Sequence, residues 1–379
     1  MNKLEARKLE TIPILNLANE IDELWEEITS AIQDVLRTGT FIMGKNVQAF
    51  EQEAAEYLGV KHAISLNSGT DALVLGLIAA GVGPGDEVIT TSFTFFATAE
   101  AISHVKAKPV FVDIDPLTMN IDPSQIESVI TKNTKAIIPV HLFGQAADMG
   151  KILEISAKYD LKVIEDVAQA FGGKYLGANL GTIGDIGCYS FFPSKNLGAY
   201  GDGGLLTTND DGIAEVVRML RVHGSRKKYY NELIGYNSRL DEMQAAILRV
   251  KLPYLDEWNK KRQSVAGYYN EMLQHVHGVS SPFKAPYADH VYHQYTVRIA
   301  EGRRDYVHQA LKEQGIGTMV YYPTPVHKLP VYAHLRYDLP QTSRASEEVI
   351  SLPIWPQIKR DTLETVVATL NTILQSTYV

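Results

Sequence analysis

Between His62 and Asp166 the chain repeats a single rhythm: short apolar runs rich in β-branched residues alternate with stretches at helical spacing. HAISLN, EVITT, KPVFVDI, KAIIPVHLF and LKVIED read as strands. DALVLGLIAAG, TAEAISHV, PSQIESVI and MGKILEISAKYD read as the helices between them, and GPGD reads as a turn. Strands alternating with helices require right-handed crossovers, so the expected class is α/β, with a mostly parallel sheet flanked by helices. From Asp185 onward IGCYSFF and GGLLTT crowd two further strands together, which predicts a mixed sheet. Ahead of this region, Ile21, Leu24, Trp25, Ile28, Ile32, Val35 and Leu36 form an amphipathic helix, with Gly39 as its stop. Beyond it a long helical stretch runs from Leu240 to about Tyr268. VYHQYTVRI, RDYVHQALKEQG and a helix from Asp361 then make up a smaller α+β domain. The expected division is residues 1–255 and 256–379.

The 379 residues suit about two domains at roughly 150 residues each. A formal net charge of −8 repels phosphate backbones and argues against nucleic-acid binding. Cys188 is the single cysteine, so neither an intrachain disulfide nor a cysteine zinc cage can form; no metal is expected, and a reducing, cytoplasmic setting is. The opening MNKLEARKLETIPIL lacks the continuous apolar core of a signal peptide. No segment reaches the roughly 18 uninterrupted apolar residues of a membrane span.

Three segments carry chemistry. Asn67, Ser68, Gly69 and Thr70 stand where a strand gives way to a helix; free N–H groups, the helix dipole and two hydroxyls there suit an anion, and they equally suit an ordinary N-cap. In IEDVAQAFG, Asp166 sits at the carboxyl end of a strand, where open α/β sheets gather their ligands. Its neighbour Glu165 points to the opposite face, and Asp166 alone also suits a helix cap. In SFFPSKNLGAYGDGG, Lys195 follows aromatics and precedes glycines. Most lysines are solvated, whereas one held on a tight turn beneath a ligand loses part of its hydration and becomes a nucleophilic amine able to form a Schiff base. Anion cradle, strand-end carboxylate and desolvated lysine together are what pyridoxal phosphate requires.

TGTFIMGKNVQAFE, NSGTDAL, GPGDEVI with SFTFFATAEAI, VIEDVAQAFG, SFFPSKNLGAYGDGG, GYNSRLDEMQAAIL and YYPTPVH occur in this order across nearly the whole chain. In them the chain resembles the fold-type I pyridoxal phosphate enzymes of the DegT and StrS group, the nucleotide-sugar aminotransferases. The resemblance implies that Lys195 carries the cofactor, Asp166 faces the pyridinium nitrogen and Gln169 lies beside the cofactor oxygen. It also implies that Ser68, Gly69, Thr70 and Ser190 bind the phosphate and that Phe95 stacks on the ring. Asn237 would reach the phosphate from a partner subunit, making a homodimer with shared sites. Some members carry histidine in place of the lysine and act as dehydratases; here Lys195 is present. GYNSRLDEMQAAIL and HVYHQYTVR look more like members that aminate a 3-keto than a 4-keto deoxyhexose. His327 matches a histidine near the substrate, with a structured turn as its other reading. Arg226 and Tyr229, in a basic and aromatic cluster, would hold a diphosphate or form a solvated face. The implied reaction moves an amino group from L-glutamate to C3 of a keto-6-deoxyhexose linked to a nucleotide, dTDP by the resemblance. A 4-aminotransferase, a dehydratase and a non-enzymatic regulator are the alternatives.

Overall fold

The computed structural model describes residues 11–376, so most of the charged opening read for signal-peptide character lies outside the described residues. Seven strands form the central sheet: β1 (His62–Leu66), β2 (Glu87–Thr91), β3 (Lys108–Val112), β4 (Thr134–Ile138), β5 (Lys162–Asp166), β6 (Ile186–Ser190) and β7 (Gly204–Thr208). Their spatial order is β1-β7-β6-β5-β4-β2-β3, and β7 alone runs against its neighbours. The mixed sheet expected from the crowded strands after Asp185 is therefore present.

Helices α1 (Ala18–Glu23), α2 (Trp25–Thr38) and α3 (Lys45–Leu58) precede the sheet; α4 (Gly69–Ala79), α5 (Ala97–His104), α6 (Met149–Tyr159) and α7 (Asp211–Leu220) alternate with its strands. Nearly every side of α4 is apolar, because its middle, from Ala72 to Leu77, is buried: Leu73, Val74, Leu75 and Leu77 pack with Ile64, Ile164, Ile186 and Leu206. Each such side chain contributes about 2 kcal/mol by leaving water.

Three helical expectations needed correction. The first helix breaks at Leu24, whose backbone leaves helical angles (φ −109°, ψ 12°) and whose side chain is buried with Ile28, Ile247 and Trp258. PSQIESVI forms two short 3₁₀ turns, Pro123–Gln125 and Glu127–Val129, begun by Pro123 and the Asp122 cap and ended by the extended Ile130. The long helix after Leu240 is divided into α8 (Glu242–Lys251) and α9 (Leu255–Leu273) by a 3₁₀ turn at Leu252–Tyr254, where Pro253 has no N–H to offer.

The remainder builds a second core on β8 (Val279–Ser280), β9 (Tyr295–Ile299) and β10 (Val349–Leu352), an antiparallel sheet in that order. Helices α10 (Arg304–Glu313), α11 (Pro340–Glu348) and α12 (Arg360–Gln375) accompany it. The position expected to divide the domains falls at the start of α9, a helix with a foot in each core: Leu255 packs with the large sheet, while Val265, Tyr269 and Leu273 pack with Val297, Leu311 and Leu370. An amino-terminal strap also joins the second core. The Ile12 N–H donates to the Gly315 carbonyl (2.9 Å), the Gly317 N–H to Ile12 (2.7 Å) and the Ile354 N–H to Ile14 (3.2 Å).

Candidate active site

The carboxyl ends of β2, β4, β5 and β6 and the amino end of α4 open onto one cavity of about 560 Å³, the place where such sheets collect ligands. Ser68, Gly69, Thr70, Phe95, Asp166, Gln169, Ser190 and Lys195 all line it. Eight positions spread over more than a hundred residues of sequence thus converge on one space.

At the α4 terminus the Ser68 hydroxyl oxygen accepts from the Asp71 N–H (3.1 Å), and the Ser68 carbonyl accepts from Ala72. The N-cap reading is therefore realised, and it leaves the first turn of the helix open to an anion. Among the described residues the Gly69 and Thr70 N–H groups have no acceptor, and both residues face the cavity. Glycine at 69 follows from crowding: a Cβ there would lie 2.7 Å from the Ser190 Cβ and 3.2 Å from its Cα. Ser190, at the end of β6, is thereby held against the first turn of α4.

Asp166 ends β5. The Thr98 hydroxyl donates to its Oδ2 (2.8 Å) and the Ala168 N–H to its Oδ1 (3.1 Å), with Thr94 in turn 3.0 Å from Thr98. Burial pushes the Asp166 pKa up, against the pull of these donors and of the Lys195 charge. Glu165 turns to the other side, where His141 and the N–H groups of Gly181, Ile183 and Gly184 all donate to it at 2.7–2.9 Å. Because the Ala147 N–H occupies His141 Nδ1, the donor to Glu165 is Nε2. The two adjacent carboxylates thus serve different purposes, one structural and one facing the cavity.

Lys195 lies on the turn after β6, its N–H donating to the Phe192 carbonyl (2.8 Å). Among the described residues no carboxylate or carbonyl reaches its Nζ. Desolvation lowers its pKa from 10.5 to about 8, only partly countered by the charge of Asp166. A lowered lysine pKa destabilises the folded chain below about pH 8, and stability rises between about pH 8 and 10.5, where the unfolded lysine still holds a proton that the folded one has shed. Accordingly, the rate at which cofactor-free protein captures pyridoxal phosphate should rise with pH through a midpoint near pH 8; stopped-flow absorbance would show it, and a midpoint at the ordinary lysine value would refute a desolvated amine.

The remaining positions divide. Gln169 uses both ends of its amide, accepting from the Phe143 N–H (2.7 Å) and donating to the Tyr322 hydroxyl (2.9 Å). Phe95 is exposed at the cavity mouth, its ring centroid 6.3 Å from that of Tyr322. His327, Arg226, Tyr229 and Asn237 are not brought together with these groups in the single chain. His327 is buried on a 3₁₀ turn, with Nδ1 2.7 Å from the Ser92 hydroxyl. Arg226 pairs with Glu215 (2.8 Å) and Glu232 (3.3 Å), Tyr229 is 90% exposed on a short hairpin, and Asn237 is exposed beside it. The structure adds His293, Gln294, Tyr321 and Tyr322 to the cavity wall. They lie in HVYHQYTVR and YYPTPVH, stretches quoted above for the resemblance, where none of the four was singled out.

Over residues 22–371 the chain matches the model of the DegT/DnrJ/EryC1/StrS aminotransferase family. It is 52% identical to a pleiotropic regulatory protein of Geobacillus stearothermophilus, covering 94% of this chain and 96% of that one. It is 45% identical to a UDP-N-acetyl-3-dehydro-alpha-D-glucosamine 3-aminotransferase of Acidithiobacillus ferrooxidans (92% and 94% covered). The identity is also 45% to a dTDP-3-amino-3,6-dideoxy-alpha-D-galactopyranose transaminase of Aneurinibacillus thermoaerophilus (95% and 99%). Among solved structures, S. venezuelae DesV in complex with a ketimine intermediate superposes with a TM-score of 0.94 at 41% identity, covering 97% of this chain and all of that one.

Proposed function

The chain belongs to the DegT/DnrJ/EryC1/StrS aminotransferase family, and from that premise we propose that it is a pyridoxal-phosphate-dependent transaminase. It carries an amino group from L-glutamate to the C3 ketone of a nucleotide-linked 6-deoxyhexose. The observation that carries the reading is one cavity holding a lysine amine and two N–H groups that have no partner among the described residues, together with a buried strand-end carboxylate.

These residues fit the cofactor. The Gly69 and Thr70 N–H groups and the hydroxyls of Ser68, Thr70 and Ser190 would hold its phosphate. Asp166 would face the ring nitrogen and keep it protonated, Phe95 would cover the ring face, and Gln169 would lie beside the ring oxygen. When bound, pyridoxal phosphate supplies the electron sink for carbanion charge. Lys195 would hold the cofactor through Nζ, and the same Nζ, when free, would lift and return the proton moved during transamination. A pKa near 8 leaves that amine able to do both near neutrality.

Lys195 is the only lysine or arginine among the described residues of the cavity wall, although glutamate and a nucleotide diphosphate are both anionic. The missing positive charge is supplied by a second copy of the chain. Arg226, Lys227 and Lys228 project on the same hairpin as Tyr229 and Tyr230, close to Ile234, which is 95% exposed. An apolar and basic projection of this kind is characteristic of an interface. Asn237, at its base, would reach the phosphate in the partner's site. If sites are shared, coexpressing Lys195→Ala with Asn237→Ala chains should regain about a quarter of wild-type activity in randomly mixed dimers; no recovery above that of either variant would contradict sharing.

A relative bearing a regulatory name motivates a second reading, regulation without catalysis. The presence here of the lysine, the carboxylate and the phosphate cradle favours the enzyme. Incubation with glutamate and a panel of UDP- and dTDP-linked 3-keto and 4-keto sugars, with NMR of the products, tests the assignment. It should give 3-amino sugars, whereas amination at C4, dehydration or no turnover would overturn it. The buried free thiol of Cys188 is consistent with a reducing cytoplasm.

A further inference from the structure

We propose that Lys251, together with Gln244 two turns earlier on α8, is a positioning residue for Lys195, the pair clamping the turn that carries the reactive amine. This rests on the reading of Lys195 given above.

Residues 193–201 belong to no helix or strand. Their own backbone bonds are few, chiefly Lys195 N–H to Phe192 and Ala199 N–H to Phe191, each 2.8 Å. What holds the turn comes from outside it. Gln244 grips Tyr200 at both backbone groups, its Oε1 accepting from the N–H (2.8 Å) and its Nε2 donating to the carbonyl (3.2 Å). Lys251 is 1% exposed, and its ammonium donates to the carbonyl of Gly198, three residues beyond Lys195.

Several groups surround that ammonium: Glu20 Oε1 of α1 at 2.6 Å, and the rings of Tyr200 and Trp258 at 4.9 and 5.9 Å from Nζ. A buried charge is costly, and an apolar side chain of similar volume would fill the same space without that cost. What an apolar residue cannot do is hold the Gly198 carbonyl. Gly198 lies close against the start of the turn: a Cβ on it would lie 2.4 Å from the Pro193 carbonyl oxygen. Fixing Gly198 and Tyr200 therefore fixes the path from Pro193 through Lys195, and with it the direction of the Lys195 side chain.

Hydrogen–deuterium exchange of the cofactor-free protein, pyridoxal phosphate titration and hydride trapping followed by mass spectrometry, applied to wild type, Gln244→Ala and Lys251→Met, test the clamp. Each variant should speed exchange across residues 196–200 by about tenfold and weaken cofactor binding by about tenfold, the loss expected when one or two hydrogen bonds are removed. Exchange in β5 should not change, which separates a loosened turn from general destabilisation. Should Lys251→Met fail to fold, Gln244→Ala decides alone. Wild-type trapping on Lys195, with the variants' turn exchange and affinity within twofold of wild type, overturns the clamp and leaves the transaminase reading standing. Trapping at another lysine, or none, overturns both.

Discussion

Lys195→Ala should lower kcat/KM by about four orders of magnitude or more, since it removes both the covalent tether and the proton carrier of one reaction. The substitution costs little in folding. The lysine has no partner among the described residues, and its depressed pKa means that the folded state already disfavours its charge. A normal melting curve with lost turnover is therefore expected. The variant should still take up pyridoxal phosphate through the phosphate cradle, without an adduct that survives hydride reduction and digestion. Activity within tenfold of wild type would remove Lys195 from the mechanism.

Asp166→Asn should lower kcat by about three orders of magnitude, the cost of removing one partner from a buried charge pair. An amide of equal size fills the space and accepts from Thr98, yet it cannot stabilise a positive ring nitrogen. The same change should make the cofactor-free protein more stable at neutral pH. Burial raises the Asp166 pKa, so the folded chain holds this proton more tightly than the unfolded one. The stability it contributes is present below the ordinary carboxylate range and lost as pH rises through the raised value. Asparagine has no charge to desolvate, and the cofactor-free variant should melt a few degrees higher near pH 7. A variant that melts lower while keeping its turnover would show that Asp166 is a structural cap. Calorimetry without cofactor and steady-state kinetics with it separate the two results.

The alternation of strands and helices was legible because periods of two and 3.6 leave different marks on an apolar pattern, and the crowding after Asp185 announced a mixed sheet. The breaks at Leu24 and Pro253 were harder to see. At Leu24 burial against α8 and α9 overrides a helical pattern that continues on both sides. Lys195 and Asp166 stood out through their immediate neighbours. Tyr322, His293 and Gln294 did not: they lie inside YYPTPVH and HVYHQYTVR, stretches that resemble the family, but far beyond Lys195 in sequence, and only the fold brings them to the cavity. Lys251 is likewise indistinguishable in sequence from a surface lysine near a helix C-terminus, and only the packing shows its ammonium buried. His327, Arg226, Tyr229 and Asn237 mark the boundary of what one chain reveals: three of them are exposed, and His327 is engaged by Ser92.

The strap at Ile12–Ile14, which leads into α1 and Glu20, also bears on how the molecule is made. The first described residues to leave the ribosome find their backbone partners at Gly315, Gly317 and Ile354, nearly a full chain length later. Until those residues emerge, Glu20 has no fixed place from which to meet Lys251. Contacts this distant close late and slowly. Vitamin capture is thus a property of the finished polypeptide, and a truncated translation product would be left with an unanchored amine.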